Sequence, residues 1–396
     1  MSDLEITDVE TFIVENAFVP FVFARVETNA GIHGVAEATT RGKSRAVCAA
    51  IEEMAGYYEG ADPFDTEDLF LRMYRDEWFS MNVVNLSAIS AIDTACWDIK
   101  GKALDTPVYE LLGGDVHGDE LRAYANGWYK RHLDQPDEMD KLADAAENVV
   151  AKGYDAMKFD PFGFEWERMD KRTLDRAVER VATVREAIGP ENEILVEGHG
   201  RFTPSQAVEV AKRIDAYDPT WFEEPSPPDS NTGLAQVARK SPVTIATGER
   251  HISKYRFRDL LQETDVGVIQ PDLMNTGGLT EGKKIATLAE AEHVSFAPHN
   301  PQGPLATAIY AHIDTSAPNF YIQETFEEFS HPDWVGDLIT GDPLVEAGTL
   351  SVPQGPGLGV DLNMDLVREH AYGPDEEIGF DERSLTMWNP ALQTRY

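Results

Sequence analysis

The chain has 396 residues, more than one small core usually holds, so two units, or one barrel with an attached module, are expected. Its 70 Asp and Glu against 34 Lys and Arg give a formal net charge of -36, which repels nucleic acid and anionic membranes. The two cysteines, Cys48 and Cys96, belong to no CxxC pair, which leaves no basis for a disulfide framework or a cysteine zinc site.

The acidic residues are dispersed, as at Asp137-Glu138 and Glu327-Glu328, rather than gathered in a tail. Dispersed acidity suits concentrated salt, where screening weakens self-repulsion, so a salt-adapted cytoplasm is one expectation and an acidic mesophilic enzyme the other. Residues 1–10 carry neither a basic segment nor an apolar run, and no stretch is long enough to span a bilayer. The expected location is cytoplasmic.

Ile6 to Val14 and Phe21 to Thr28 alternate loosely and read as strands, and Gly31 to Gly34 turns into Val35-Ala36-Glu37. Helical patterns follow over Ser44 to Tyr58, Glu67 to Trp78 and Ser87 to Lys102, the last one small and apolar enough to be buried. Strands followed by helices without alternation predict a compact α+β module over 1–120. After residue 120, short apolar runs alternate with amphipathic helices. The runs are Leu121-Ala125, Ala156-Phe159, Ile194-Val196, Trp221-Phe222, Val243-Ala246, Val266-Ile269, Val294-Ala297 and Tyr321-Gln323. Eight such runs predict a parallel barrel over 121–350. The Pro- and Gly-rich stretch Val352 to Gly359 opens a tail, 351–396, expected to pack back on the first module.

Polar residues recur just after these runs. Glu197, Glu223, Glu249, Asp272, His299 and Glu324 are separated by 26, 26, 23, 27 and 25 residues, about one β/α unit each. Strand ends converge on one mouth of a barrel, where active sites lie. One acid among 70 is ordinarily a solvated loop carboxylate, but six polar groups in phase are hard to ascribe to chance. Three glutamates brought together repel unless a cation lies between them, and an all-oxygen donor set favours Mg²⁺, with Mn²⁺ as second choice. Asp272 beside His299 forms the pairing expected of a general base. His199, two residues past Glu197, is aimed into the same mouth by strand alternation and adds a second acid/base group. Glu324 offers a hydrogen-bond donor if protonated, or an acceptor for hydroxyls. Lys158 has three open roles: neutralising substrate charge, orienting a carboxylate, or pairing with Asp160 or Glu197.

The motifs Trp221-Phe222-Glu223-Glu224-Pro225, Ala246-Thr247-Gly248-Glu249, Ile269-Gln270-Pro271-Asp272 and Ala297-Pro298-His299-Asn300 resemble the mandelate racemase branch of the enolase superfamily. So do Ala95 to Lys102 and Pro356-Gly357-Leu358-Gly359. The resemblance implies an α/β fold: a modified TIM barrel, (β/α)7β, with an N-terminal α+β capping domain completed by the C-terminal tail. It also implies Mg²⁺ on Glu197, Glu223 and Glu249, with His299 and Asp272 removing a proton alpha to a carboxylate. Two departures matter. The Lys-x-Lys pair of racemases is Lys158-Phe159-Asp160 here, without the second lysine base, and Glu197 stands where Asp is commoner. His199 resembles the histidine of galactonate and gluconate dehydratases, where it protonates the departing 3-hydroxyl. The expected activity is therefore dehydration of an aldonic acid to a 2-keto-3-deoxy acid, with Lys158 and Asp160 at the substrate. The expected partners are that small sugar acid and further copies of the chain. A racemase or epimerase, or a non-catalytic sugar-acid-binding barrel, are the competing readings.

Overall fold

The computed structural model describes residues 3–16, 19–79, 81–133, 135–163, 165–342, 344–373 and 376–378. The chain opens with three antiparallel strands, β1 (Ile6–Val14), β2 (Phe21–Thr28) and β3 (His33–Glu37), in the order β1-β2-β3. Helices follow at Ser44–Glu53, Ala55–Tyr58 and Thr66–Arg75, the first helical pattern being broken at Met54. Helix Val83–Leu104 is started by the Asn82 side chain, which accepts from Asn85 N at 3.0 Å, and stopped by Asp105 at φ 52°. Its small residues let it lie between two layers. One face packs on β2 and β3, and the other reaches the barrel, where Asp93 accepts from Thr280 N (2.9 Å) and Ser90 from Gly277 N (2.8 Å).

The second layer is a row of parallel strands: β4 (Glu120–Ala125), β5 (Ala156–Phe159), β6 (Glu193–Glu197), β7 (Trp221–Glu223), β8 (Ile245–Thr247), β9 (Val268–Ile269), β10 (Ser295–Phe296) and β11 (Gln323–Thr325). Each pairs with the next from β4 to β10, and β11 pairs with β4, so the row returns toward its start. Between β10 and β11 the described residues form one parallel bridge, Phe296 with Phe320, rather than a ladder. Side chains fill the space that the row surrounds. Tyr124, Ala156, Leu195, Trp221, Ala246, Val268, Ala297 and Ile322, one from each strand or its flank, make one buried cluster inside it. Mixed large and small residues fill such an interior as a packed layer, not a pore. Outside, helices such as Glu138–Ala151 bury one stripe (Leu142, Ala146, Val149) on the strands.

After the barrel, β12 (Val345–Glu346) and β13 (Thr349–Ser351) form a hairpin whose second strand pairs antiparallel with β4. The described tail then runs along the first module. Leu358 N donates to Asp98 Oδ1 (2.8 Å), His33 pairs with Asp361 (2.6 Å), and Tyr372 N donates to Ile13 O (2.8 Å). The rest of the tail lies outside the described residues. No helix among the described residues is long and apolar enough to cross a membrane.

Candidate active site

The strand ends and the first module enclose a cavity of about 710 Å³, lined among others by Lys158, Glu197, His199, Glu249, Asp272, His299 and Glu324, with Thr39, Thr40, Arg41 and Lys43 from the loop after β3. In the stretch that leads into β2, Val19 lines the cavity, Phe21–Ala24 belong to β2, and residues 17 and 18 lie outside the described residues.

Glu197 and Glu223 are the last residues of β6 and β7, and Glu249 follows β8 by two residues. Each offers a carboxylate oxygen, and the three oxygens lie within 4.8 Å of one another. Burial and the charge of Glu223 push Glu197 well above the usual carboxylate range. Hard oxygens held this close fit a small divalent cation such as Mg²⁺. Part of the charge is already met. Lys158 Nζ, almost wholly buried, lies 2.5 Å from Glu223 Oε1, 2.8 Å from Glu324 Oε1 and 3.7 Å from Glu197 Oε2. Burial alone would discharge this ammonium, but Glu223 and Glu324 outweigh it and hold the lysine charged.

Glu324 accepts from Lys158, from Asn126 Nδ2 (2.7 Å) and from Asn300 N (2.9 Å). Burial favours its neutral form, yet Lys158 and His299 bring it down to about 2. It stands here as an acceptor carboxylate. His299 Nδ1 lies 3.1 Å from Asp272 Oδ2, and its Nε2 lies 3.3 Å from Glu249 Oε2. Burial opposes its positive form, but Glu249 and then Asp272 raise it to about 10. Asp272 is itself fixed by Met274 N (3.0 Å) and by Gln302 Nε2 (2.6 Å).

His199 reaches the pocket by a route other than strand alternation. Its backbone turns left-handed at φ 49°, its N–H donates to the Glu197 carboxylate, and Gly200 follows at φ 64°. Gly200 takes a left-handed conformation that side chains rarely adopt, which favours glycine at this point of the turn. The ring is then held by Asp160, whose Oδ2 lies 2.7 Å from Nδ1. Asp160 Oδ1 also takes Arg201 Nη2 at 2.5 Å and Phe162 N at 2.9 Å. Burial acts against the Asp160 carboxylate, but Arg201 and His199 hold it at about 2. Asp160 is thus turned toward His199 and Arg201. Burial lowers His199, with Asp160 opposing.

Arg201, Arg250, Asn126, Asn300 and Gln302 were not singled out from the sequence. All five sit within three residues of a residue that was, or of a strand end, and that proximity was the available signal.

Residues 10–113 match the family model of the mandelate racemase / muconate lactonizing enzyme N-terminal domain, and residues 141–366 match the enolase C-terminal domain-like model. D-gluconate dehydratase of Thermoproteus tenax is 39% identical over 357 residues, 90% of this chain and 70% of that one. D-gluconate/D-galactonate dehydratase of Picrophilus torridus is 34% identical over 92% of both chains. D-galactonate dehydratase of Xanthomonas oryzae pv. oryzae is 35% identical over 94% of this chain and 96% of its own. Among solved structures, a mandelate racemase/muconate lactonizing enzyme from Jannaschia sp. CCS1 superposes with a TM-score of 0.86 at 33% identity, covering 94% of this chain and 99% of that one. A member of the enolase superfamily from Salmonella Typhimurium gives 0.87 at 28% identity, covering 93% and 98%.

Proposed function

The chain belongs to the mandelate racemase / muconate lactonizing enzyme family of the enolase superfamily, and from that premise we propose that it is a hydro-lyase that dehydrates an aldonic acid to a 2-keto-3-deoxy acid. Galactonate, gluconate and xylonate are the candidate substrates. The observation that carries this reading is the presence of two separate His–Asp pairs, His299–Asp272 and His199–Asp160, facing one cavity beside a carboxylate trio. The dehydratase names of the relatives support it. We assign residues 1–120 and the tail from 351 to the capping domain, and 121–350 to the catalytic barrel.

Glu197, Glu223 and Glu249 would hold Mg²⁺, which when bound supplies a Lewis acid for the substrate carboxylate as negative charge builds on it. His299 removes the C2 proton. A cation held by Glu249 would offset the negative charge that raises this imidazole and would leave the ring free to accept a proton. Asp272 fixes the ring through Nδ1 and leaves Nε2 to work. His199 delivers a proton to the 3-hydroxyl as the C3–O bond breaks, so water leaves and an enol remains, which tautomerises to the keto acid. Asp160 holds that second imidazole in place. Glu324 keeps Lys158 and Asn126 in the lining of the cavity, where Lys158 compensates carboxylate charge. The small sugar acid is the partner this chemistry needs, and no membrane or nucleic acid enters it.

A panel of aldonic acids assayed for 2-keto-3-deoxy product, with Mg²⁺ and with excess chelator, tests the reading. Metal-dependent keto acid from at least one substrate is the expected result. A second reading, racemisation at C2 by His299 and another base, lacks the second lysine, whose place Asp160 takes. It yields a C2 epimer and no keto acid, and the same assay separates the two.

A further inference from the structure

Glu37, the last residue of β3, is wholly buried at the boundary between the first module and the barrel. Its Oε1 accepts from Gly303 N at 2.9 Å and its Oε2 from Ala306 N at 3.0 Å, across 266 and 269 residues of chain. These are the N-cap and third positions of helix Pro304–Ser316, every residue of which is buried. That helix has no cap of its own: Gly303 has no side chain, and Pro304 has no N–H to satisfy. A carboxyl group from another element therefore takes the place of an N-cap. The fit is close, since a Cβ at Gly303 would stand 3.0 Å from Glu37 Oε2.

The same carboxyl group faces two ways. Thr39 Oγ1 donates to Glu37 Oε1 at 2.6 Å and accepts from Val22 N at 3.0 Å, which ties down the loop whose Thr39, Thr40 and Arg41 line the cavity. On the barrel side, the helix start carries Gln302, one residue before Gly303, and Gln302 Nε2 meets the same Asp272 oxygen that faces His299. Thr307, in the first turn, takes Asn300 Nδ2 at 3.1 Å. We propose that Glu37 is a positioning residue: by capping helix Pro304–Ser316 across the module boundary, it holds Gln302, and through it the Asp272–His299 pair, in line for proton removal.

This inference rests on the dehydratase reading for its kinetic readout but not for its structural one. Glu37→Gln keeps the volume and leaves one acceptor oxygen for two backbone donors, so one N–H is lost or faced by the amide. The expected result is a kcat about tenfold lower with KM changed less than about twofold, the signature of a lost transition-state arrangement rather than lost binding. The isotope effect on kcat with C2-deuterated substrate should rise, and amide exchange over residues 303–306 should quicken. Gln302→Leu breaks the relay downstream of the cap. It should reproduce the kinetic change with native exchange at 303–306, and it decides the matter if Glu37→Gln does not fold. Either variant showing a kcat within about twofold of native and an unchanged isotope effect overturns the proposal. If the native protein dehydrates no aldonic acid, the functional reading fails on its own, and native exchange protection at 303–306 in Glu37→Gln would then overturn the docking role.

Discussion

Asp160 Oδ2 lies 2.7 Å from Nδ1 of His199, so a carboxylate at the end of Lys158-Phe159-Asp160 holds an imidazole. An Asn at 160 keeps the shape but removes the charge that fixes the ring. Asp160→Asn should lower dehydration by roughly 10²-fold, the lower end of what a positioned acid contributes, while C2 hydrogen exchange persists. Steady-state kinetics with the C2 proton followed by NMR would show this; native dehydration in the variant would remove Asp160 from the account.

Lys158 makes a second prediction. Lys158→Met leaves Glu223 and Glu324 buried without their shared cation, which should cost about 3 kcal/mol, the scale of removing one partner of a buried ion pair. Added Mg²⁺ should restore part of the loss, because it compensates the same carboxylates. Thermal melts with and without Mg²⁺ measure it. A melting temperature that ignores both the substitution and the ion would contradict the charge-compensation role.

For the metal itself, Glu223→Gln and Glu249→Gln should each weaken Mg²⁺ binding and lower activity together, and full activity in excess chelator would refute the assignment. Calorimetric titration with Mg²⁺ alone reads the first half without substrate.

His312 gives a pH dependence with a definite sign. It is buried in helix Pro304–Ser316, accepts from Tyr109 N at 3.3 Å, and burial holds it down at about 4. Its folded value lies below its unfolded one, so its stabilisation is complete above about pH 6.5 and is lost as pH falls toward 4, on the order of 3 kcal/mol at most. Buried Glu37 and Asp93, both raised to about 7, act in the opposite sense over part of this range. The difference between native and His312→Gln melting curves from pH 7.5 to 5 isolates the histidine. It should shrink with falling pH, and a constant difference would contradict the sign.

The net charge of -36 predicts a melting temperature that rises from dilute buffer to molar KCl, as screening relieves self-repulsion. An unchanged value would count against salt adaptation and leave the catalytic reading untouched.

The repeat of a polar residue every 23 to 27 positions made the mouth of the barrel legible, because strand ends must converge wherever the helices between them are of similar length. Strand limits were less legible. The run Tyr321-Gln323 shares one residue with β11, since Tyr321 and Ile322 are apolar for packing while the pairing with β4 begins at Gln323. Partner choice was illegible. Lys158 lies between Glu223 and Glu324 on strands far apart in sequence, and Asp160 reaches His199 through a left-handed turn that alternation does not describe. The bond from Glu37 to Gly303 leaves no periodic trace at all, because it joins two modules rather than successive turns of one pattern.

The account turns on two proton transfers carried by two different histidines, and proton NMR of the C2 signal in deuterium oxide tests it most directly. With a confirmed substrate, His299→Asn should stop both dehydration and exchange at C2. His199→Asn should stop dehydration yet allow C2 exchange, provided the proton on His299 equilibrates with solvent before it returns. Dehydration at the native rate in His199→Asn, or C2 exchange that survives in His299→Asn and is lost in His199→Asn, would contradict the assignment of base and acid.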